Sequence, residues 1–367
     1  MSKPPLHTLL STHDFHALPL PPKARAFITS AAADSKTHRA NNETYALIAL
    51  RPRILRNVSD PVSLATSLFS HAVSSPIFAA PTSLGKLIHP RGEAEIARGL
   101  APMGIAQVVS TSASCHISEI IAAGRDTAEG LTAGPVFFQL YVHRDLPKTE
   151  ALLREVARLG VDVIFLTVDA PVVGKREADE RTPFAPGDDI STPMVPLDDA
   201  VPATRPDGRG KGIASRMGAY ISPCPTWSLI ARLRAMLPPK TKLVLKGVQT
   251  LADALLALEH GLDGIVVSNH GGRSLDTSTA SVLVLLELRQ NCPEIFTKMD
   301  VLIDGGITRG TDVFKALCLG AKGVGIGRGT LVALGGYGSV GVARYFEILN
   351  QELAVTMQMC GLTNVGE

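Results

Sequence analysis

Short apolar runs recur along the chain, and eight of them have the length of a β-strand. Each run is almost continuously apolar rather than alternating, which is typical of parallel strands buried on both faces. We therefore predict eight parallel strands, at residues 76–80, 105–109, 136–140, 163–168, 243–246, 264–267, 301–304 and 323–326.

Segments with a helical period lie between these runs. In residues 148–159, for example, Leu152, Leu153, Val156 and Leu159 fall on one face. We predict further helices at residues 93–100, 226–237, 251–258 and 311–319. Alternation of helix and strand with eight strands favours an α/β fold of the closed (β/α)8 TIM-barrel type over an open doubly wound sheet.

Two segments lie outside this alternation. Residues 1–75 precede the first predicted strand, and we expect an N-terminal helical segment there. Residues 171–224 are rich in proline, glycine and charge and have no sustained period. We predict a mobile insertion between strands four and five, which is either a surface loop or a lid over the active site. We expect residues 1–367 to form one domain.

Composition and charge exclude several classes of protein. Apolar residues make up 45% of the chain and charged residues 19%, as in a globular protein. The 36 basic and 34 acidic residues are spread along the chain, so we expect no nucleic-acid partner. The five cysteines lack metal-site spacing, so we expect reduced thiols and no metal. We expect neither a membrane span nor a signal peptide. The last residues do not form a peroxisomal tripeptide, so we expect a cytoplasmic location.

Polar or charged side chains follow every one of the eight predicted strands. The carboxyl ends of barrel strands form the active site in enzymes of this fold. A single such residue would be read as a helix N-cap, but eight together predict a site. In chain order the ends carry Pro81, Thr82 and Ser83; Ser110; Gln139 and Tyr141; Thr167 and Asp169; Lys246; Ser268, His270 and Arg273; Asp304 and Gly306; Gly327 and Arg328.

Two of these strand ends predict a phosphate site. Residues 304–312 and 325–329 are glycine-rich turns that each open a helix and contain an arginine. Backbone N–H groups and a helix N-terminus favour an anion there. No dinucleotide-type glycine motif follows the first strand. A phosphate-bearing cofactor or substrate is therefore favoured over a plain turn.

The segment Ser268–Asp276, with the sequence SNHGGRSLD, suggests acid–base chemistry. An imidazole beside a guanidinium can deprotonate a substrate while its carboxylate is held, so His270 and Arg273 are favoured as functional. Lys246 is compatible with a Schiff base, a phosphate ligand or a charge near an anionic cofactor ring.

With these motifs in register, the chain resembles the FMN-dependent 2-hydroxy acid oxidases and dehydrogenases, the family of glycolate oxidase, lactate oxidase, flavocytochrome lactate dehydrogenase and mandelate dehydrogenase. The resemblance runs from about residue 30 to the C-terminus. It rests on residues 50–60, 80–93, 137–145, 167–179, 243–248, 268–276, 304–321 and 325–329.

The resemblance implies roles for individual residues at the substrate end. His270 matches the catalytic base and Asp169 the carboxylate that orients it. Arg273 and Arg176 match a fixed and a mobile substrate-binding arginine. Tyr141 matches a phenol that hydrogen-bonds the substrate.

The resemblance also implies FMN as the cofactor. Lys246 matches a lysine that stabilises the anionic reduced flavin, and Ser268 lies beside it. Asp304 matches the ribityl contact. The remaining matches are flavin-ring positions at Pro81, Thr82, Ser83, Ser110, Gln139 and Thr167, and phosphate positions at Gly306, Gly327 and Arg328.

Four positions depart from the family pattern. Phe27 replaces a substrate-binding tyrosine, and Ser83 replaces a small residue near the flavin. Ser112 replaces a bulky aromatic residue. Thr308 replaces a phosphate-binding arginine, for which the neighbouring Arg309 is a candidate substitute. These departures predict a substrate larger than glycolate.

The expected reaction is oxidation of a 2-hydroxy acid to the 2-keto acid, with oxygen reoxidising the flavin to give hydrogen peroxide. His270 would remove a proton from either the hydroxyl or the α-carbon. Two alternatives stay open: a dehydrogenase that uses a quinone or protein acceptor, and a non-catalytic flavin-binding relative. By resemblance we expect a homotetramer.

Overall fold

The computed structural model describes residues 3–128, 130–188, 190–196 and 212–367. Its centre is a closed barrel of eight parallel strands, in which each strand pairs with the next and the last pairs with the first. The strands are β3 (Ile77–Thr82), β4 (Gln107–Ser110), β5 (Val136–Leu140), β6 (Val163–Thr167), β7 (Lys242–Val248), β8 (Gly264–Val267), β9 (Asp300–Asp304) and β10 (Gly323–Ile326). The predicted TIM barrel is confirmed, and all eight predicted runs overlap a barrel strand.

Helices surround the barrel, and each of the five predicted ones is present within two residues of its expected ends. The α-helices are α1 (Thr12–His16), α2 (Pro22–Thr29), α3 (Lys36–Leu47), α4 (Gly92–Leu100), α5 (Ile117–Thr127), α6 (Leu146–Arg158), α7 (Glu177–Arg181), α8 (Ile213–Gly218), α9 (Ser228–Met236), α10 (Leu251–Glu259), α11 (Ser281–Asn291), α12 (Ile295–Lys298), α13 (Gly310–Cys318) and α14 (Arg328–Met359). Short 3-10 helices lie at Leu6–Thr8, Gly85–Leu87, Ala101–Met103 and His270–Gly272.

The continuous apolarity of the strands reflects two separate cores. Alternate residues such as Phe78, Phe137 and Phe165 fill the barrel interior. Their neighbours, such as Ile77 and Phe138, pack outward against the helices. Both faces of each strand are therefore buried, as the sequence pattern indicated.

The segment 1–75 is not wholly helical, because a hairpin follows its three α-helices. Strands β1 (Thr66–Leu68) and β2 (His71–Val73) pair antiparallel. Between them, the ring of Phe69 contacts Phe165 edge-on, with ring centroids 5.7 Å apart. The backbone N–H of Phe69 donates to Asp300 Oδ2 at 2.7 Å, and Asp300 begins β9. The hairpin therefore closes the amino-terminal end of the barrel.

The N-terminal helices instead reach the opposite, carboxyl-terminal end. Asn41 of α3 and Asn269 after β8 exchange two side-chain hydrogen bonds of 2.8 Å. Lys23 of α2 forms a buried ion pair with Asp179 of α7, with Nζ 2.9 Å from Oδ1. These contacts fix α2 and α3 over the end of the barrel where a site was predicted.

The described parts of the insertion 171–224 are also attached to the barrel. Asp179 Oδ2 accepts a hydrogen bond from the backbone N–H of Ala214 at 3.0 Å, which joins α7 to α8. The N–H of Ser222 donates to the carbonyl of Val142 at 2.8 Å. Residues 189 and 197–211 lie outside the described residues, so the mobile lid stays a prediction. Among the described residues, no helix is long and apolar enough to cross a membrane.

Phe165 provides a test of the barrel interior. It is 1% exposed, and its ring stacks on Phe137 with centroids 6.0 Å apart. We expect Phe165→Ala to lower the free energy of unfolding by about 3–5 kcal/mol, because the hairpin and barrel cannot collapse into the cavity. Denaturant unfolding measures this. Leu283→Ala, at a position 42% exposed on α11, is the control, with an expected loss below about 1 kcal/mol. Equal losses of unfolding free energy in the two variants would contradict the placement of Phe165 in the barrel interior.

Candidate active site

A cavity of about 490 Å³ opens at the carboxyl ends of the barrel strands, where the site was predicted. Its walls come from the strand ends, the N-terminal helices and the described part of the insertion. Thirteen of the predicted site residues line it: Phe27, Pro81, Thr82, Ser83, Tyr141, Arg176, Lys246, His270, Arg273, Asp304, Gly306, Gly327 and Arg328.

The turn after β8 holds the histidine in an uncommon backbone conformation. His270, Gly271 and Gly272 have φ values of 57°, 62° and 76°. This left-handed region is strained for a histidine but not for glycine. The Asn269 side chain stabilises the turn, since its Oδ1 accepts from the Gly272 N–H at 3.1 Å. A Cβ on Gly272 would lie 2.6 Å from the backbone nitrogen of His38, so only glycine fits there.

His270 is paired with a buried carboxylate. Its Nδ1 lies 2.8 Å from Oδ1 of Asp169, whose side chain is fully buried at the end of β6. Burial lowers the pKa of His270 below its ordinary value, and Asp169 opposes that shift. The imidazole is therefore neutral at neutral pH. Because the carboxylate accepts the Nδ1 proton, Nε2 carries the lone pair that can take a proton.

Lys246 lies between two carboxylates. Its Nζ is 3.2 Å from Asp304 Oδ2 and 3.7 Å from Asp169 Oδ2, and it donates to Ser268 Oγ at 3.0 Å. Burial acts to lower the pKa of Lys246, but Asp304 and Asp169 outweigh it and the pKa is raised. Lys246 is thus a cation. This argues against the Schiff-base alternative, which needs a neutral amine.

The same network keeps Asp169 ionised. Burial acts to raise the pKa of Asp169, but His270 and Lys246 hold it below its ordinary value. The Ser268 hydroxyl completes the network by donating to Asp304 Oδ1 at 2.5 Å. Neither Ser268 nor Asp169 is among the residues that line the cavity. Instead, Ser268 contacts Lys246 and Asp169 contacts His270, and both of these partners line the cavity.

Arg273 is fixed by the N-terminal segment. Its Nη1 donates to the carbonyls of Phe27, Ile28 and Ser30 at 2.9, 3.0 and 2.9 Å, and its guanidinium lies 5.1 Å from the centroid of the Phe27 ring. Burial lowers the pKa of Arg273, and the nearby Arg176 adds to the shift. Phe27 therefore contributes a cation–π contact at the position where a tyrosine was expected.

Arg176 immediately precedes α7 and is mostly buried. Its Nε donates to the backbone carbonyl of Arg273 at 3.3 Å. Among the described residues, neither guanidinium forms an ion pair with a carboxylate. Two buried cations without counterions at one wall of a cavity are suited to an anionic ligand.

A row of hydrogen-bonded polar side chains extends from the cavity wall into the barrel. Ser83 and Ser110 are joined by a hydrogen bond of 3.1 Å between their hydroxyls. Ser110 Oγ donates to Gln139 Oε1 at 3.0 Å, and Gln139 Nε2 donates to Thr167 Oγ1 at 3.0 Å. The structure thus brings these four predicted residues together at the ends of β3 to β6. Only Ser83 reaches the cavity wall.

The two glycine-rich ends form an open cradle beside Arg328. Gly306 has a φ of 81°, and a Cβ there would lie 2.2 Å from the carbonyl oxygen of Asn41. No atom would lie within 4 Å of a Cβ on Gly327. Arg328 Nη2 donates to the Gly271 carbonyl at 2.7 Å, while its buried Nη1 has no hydrogen-bond partner. An unpaired buried guanidinium nitrogen beside glycine turns fits the phosphate of FMN.

Arg309 was predicted as a phosphate ligand, but its side chain lies outside the cavity. Its guanidinium forms a two-pronged ion pair with Glu352 of α14, with Nε 2.9 Å from Oε1 and 3.0 Å from Oε2. It is not among the cavity-lining residues, whereas its neighbour Thr308 is. The competing carboxylate, 43 residues away in the chain, turns the side chain outward.

Several cavity residues were missed in the sequence. His13, His16 and His38 line the cavity from α1 and α3. A histidine on a short polar helix gives little sequence signal of this role. Tyr220, in the insertion, does not line the cavity but contacts Ser112, which does. Its hydroxyl is 2.7 Å from Ser112 Oγ, so part of the space expected beside Ser112 is occupied by a phenol.

A barrel that joins a His–Asp pair, a buried lysine and glycine turns beside a buried arginine has the groups that a flavin-dependent oxidoreductase needs. The chain belongs to the FMN-dependent dehydrogenase family, whose model matches residues 18–367. FMN is the cofactor of that family.

Among curated proteins, the chain is 39% identical to "L-lactate dehydrogenase (cytochrome)" of Wickerhamomyces anomalus, over 100% of this chain and 61% of the relative. It is 36% identical to a peroxisomal (S)-2-hydroxy-acid oxidase of Oryza sativa subsp. japonica, over 95% of this chain and 90% of the relative. The chain thus spans about 60% of the length of the lactate dehydrogenases that it matches.

Solved structures agree with the fold. A flavocytochrome b2 variant with pyruvate bound has a TM-score of 0.85 and 37% identity, over 99% of this chain and 86% of that one. A mandelate oxidase variant with (S)-mandelic acid has a TM-score of 0.82 and 30% identity, over 98% and 96% of the two chains.

Lys246→Met tests the buried charge network. Removal of the ammonium leaves Asp169 and Asp304 buried without a counterion, so we expect a loss of about 3–5 kcal/mol in unfolding free energy at neutral pH. Because Lys246 helps to lower the pKa of Asp169, that pKa should rise in the variant, so the loss should shrink as the pH falls and Asp169 becomes protonated. Urea unfolding at several pH values measures both effects.

Lys242→Met on the same strand is the matched control. Lys242 is 41% exposed and lies 3.1 Å from Asp263. We expect a loss of at most about 1 kcal/mol there. A loss of the same size in Lys246→Met would mean that the network contributes little to stability.

Proposed function

We propose that this chain oxidises an (S)-2-hydroxy acid to the 2-keto acid with FMN as cofactor. The observation that carries the proposal is the convergence of the His270–Asp169 pair with Arg273 and Arg176 on one cavity. A base next to unpaired guanidinium groups matches a substrate that has both an acidic proton to lose and a carboxylate to anchor. The names of the oxidase and dehydrogenase relatives support this substrate class.

The cavity offers suitable contacts for each part of FMN. The ring would contact Pro81, Thr82 and Ser83, with the polar row of Ser110, Gln139 and Thr167 behind them. Asp304 would bind the ribityl chain. The phosphate would bind at Gly306, Gly327 and Arg328. FMN, when bound, accepts the two electrons that leave the substrate.

Arg273 and Arg176 would anchor the substrate carboxylate. Arg273 is held by three backbone carbonyls, so little side-chain entropy is lost when the substrate binds. Tyr141 lines the same cavity, and burial raises the pKa of its phenol, which keeps it a hydrogen-bond donor. It would donate to an oxygen of the substrate.

His270 would remove one proton from the substrate, from either the hydroxyl or the α-carbon. Its Nε2 accepts the proton, and Asp169 stabilises the resulting imidazolium. Lys246 provides a fixed positive charge at the end of β7, which favours the negative charge that develops near it. The intact His–Asp pair supports a catalytic protein over a non-catalytic flavin-binding relative.

The pocket favours a substrate larger than glycolate. Ser112 is small, and the neighbouring wall is formed by Val173, Met217 and Ile221. The Tyr220 side chain fills part of the space beside Ser112, and its hydroxyl is the polar group there. A 2-hydroxy acid with an extended, mainly apolar side chain fits this wall.

Oxygen is the proposed electron acceptor, which would give hydrogen peroxide. The second candidate is a dehydrogenase with a quinone or protein acceptor. The relatives named "L-lactate dehydrogenase (cytochrome)" favour it. The homotetramer and the cytoplasmic location stay predictions.

The function is tested by mixing the FMN-loaded protein with a panel of 2-hydroxy acids without oxygen. We expect the visible flavin absorbance to be lost with at least one of them. Admission of air should then restore it with formation of peroxide; recovery only with a quinone or cytochrome would favour the dehydrogenase. A flavin spectrum that no 2-hydroxy acid changes would contradict the proposal.

His270→Gln tests the role of the base. Without an imidazole at this position, we expect the rate of flavin bleaching to fall at least about 10²-fold, while the flavin stays bound. Absorbance spectra measure both properties. Loss of the flavin would indicate a structural role, and an unchanged rate would show that another group is the base.

Ser112→Trp tests the pocket. An indole at this position should fill the space beside Tyr220, so kcat/KM for a long-chain 2-hydroxy acid should fall about tenfold or more relative to that for glycolate. Ser114→Ala, two residues along and outside the cavity lining, is the control. An unchanged ratio in Ser112→Trp would mean that the substrate side chain points elsewhere.

A further inference from the structure

Three histidines surround the end of the cavity that contains the phosphate cradle. His13 and His16 come from α1, and His38 comes from α3. Arg328 lies among them and contributes to lowering the pKa of both His16 and His38. Nothing in the proposed reaction uses these imidazoles.

Helix α1 is fixed beside the cradle. The hydroxyl of Thr12 donates to the backbone carbonyl of Thr308, in the loop that follows β9. The ring of His16 contacts Tyr345 edge-on, with centroids 6.4 Å apart. Both Thr308 and Tyr345 line the cavity. The histidines of α1 are therefore held at the cavity rather than on an unrelated surface.

Among the described residues that line this end of the cavity, carboxylates do not balance the positive charge. Of the described lining residues, Asp304 is the one carboxylate, and Lys246 already neutralises it. His38 Nδ1 and Arg328 Nη1 are both buried and have no hydrogen-bond partner. An unpaired guanidinium nitrogen and an unpaired imidazole nitrogen, both buried beside the glycine turns, suit an anionic ligand once the imidazole is protonated.

Burial, reinforced by nearby positive charges, explains why both histidines are neutral at neutral pH. Burial, with His13 and Arg328 nearby, lowers the pKa of His16 to about 4. Burial, with Arg328, Arg273, Arg39 and His16 nearby, lowers the pKa of His38 to about 4.

Carboxylates near this region are already engaged. Asp14 on α1 accepts from the backbone N–H groups of Leu10 and Ser11 at 2.8 Å. Asp312 accepts from the N–H of Thr308 at 3.0 Å. Neither is among the residues that lower or raise the pKa of His16 or His38.

We propose that His16 and His38 bind the phosphate group of the cofactor together with Arg328, and that they take up protons when it binds. The ligand is a phosphate monoester dianion, for which the cradle and the three cationic side chains provide hydrogen-bond donors from several directions. The inference rests on the proposed FMN site. Arg309, turned to Glu352, does not supply this charge.

Proton uptake gives FMN binding a defined pH dependence. An opposite charge within about 4–6 Å raises a histidine pKa by roughly 1–3 units. Affinity should therefore increase as the pH falls toward the raised pKa. Protonation of free phosphate, with a second pKa of about 6, acts in the opposite direction. The two contributions differ in sign and can be separated.

The test measures dissociation constants of FMN and riboflavin for the flavin-free protein by fluorescence, between about pH 8 and about pH 6. Riboflavin lacks the phosphate, so the ratio of its dissociation constant to that of FMN isolates the phosphate contribution. We expect this ratio to rise about threefold to tenfold as the pH falls. In His16→Gln/His38→Gln the ratio should be lower throughout, and should fall about twofold over the same range.

Two controls accompany the double variant. His260→Gln, at an exposed position after α10 and outside the cavity lining, should behave as the unmodified protein. Inorganic phosphate should compete with FMN but not with riboflavin, and its competition should weaken in the double variant.

The result has distinct outcomes. A double variant with the same ratio and pH dependence as the unmodified protein would overturn the role of these histidines, while the FMN site would stand. A ratio that falls with decreasing pH in the unmodified protein would do the same. If neither flavin binds to the unmodified protein, both the FMN site and this inference are wrong.

Discussion

The burial of Lys246 between Asp169 and Asp304 is the interaction on which the rest of the site depends. A buried ammonium is costly unless carboxylates surround it, and the parallel barrel places both carboxylates at strand ends near it. Asp169 then has one oxygen near Lys246 and the other 2.8 Å from His270 Nδ1. The same carboxylate thus stays ionised and orients the imidazole.

The remainder of the cavity is built by segments outside the barrel. Backbone carbonyls of residues 27, 28 and 30 hold Arg273, and the Asn41–Asn269 pair fixes the turn that carries His270. Helix α1 supplies His16, which lines the cavity near Arg328. The residues proposed to be catalytic lie at the strand ends of the barrel, while the N-terminal segment contacts both the proposed substrate-binding and the proposed phosphate-binding residues.

The barrel and most of its site could be predicted because each signal is local. Strands buried on both faces have a continuous apolar pattern. Their carboxyl ends lie together at one end of the barrel, whatever the conformation of the loops. The family resemblance predicted specific roles for His270 and Lys246, which their positions in the sequence alone did not determine. Those roles stay predictions, although the geometry brings the residues together.

Features that depend on distant partners could not be predicted in this way. Arg309 was predicted to bind a phosphate from its local sequence. Its ion pair with Glu352, which is far along the chain, could not be recognised from a local pattern. The hairpin β1–β2 has strands of three residues, too short for a clear period. The hydroxyl contact between Ser112 and Tyr220 joins a strand end to a segment without sequence periodicity.

The most direct test of the central claim is the pH dependence of the second-order rate constant for flavin bleaching by a 2-hydroxy acid without oxygen. A neutral His270 as base predicts that this rate constant falls about tenfold per pH unit below a pKa under 6.5. In Asp169→Asn the rate constant should be lower. Its decrease at acid pH, the acid limb, should also move to lower pH, because Asp169 raises the pKa of His270. A rate constant without an acid limb, or an acid limb unchanged in Asp169→Asn, would contradict the account.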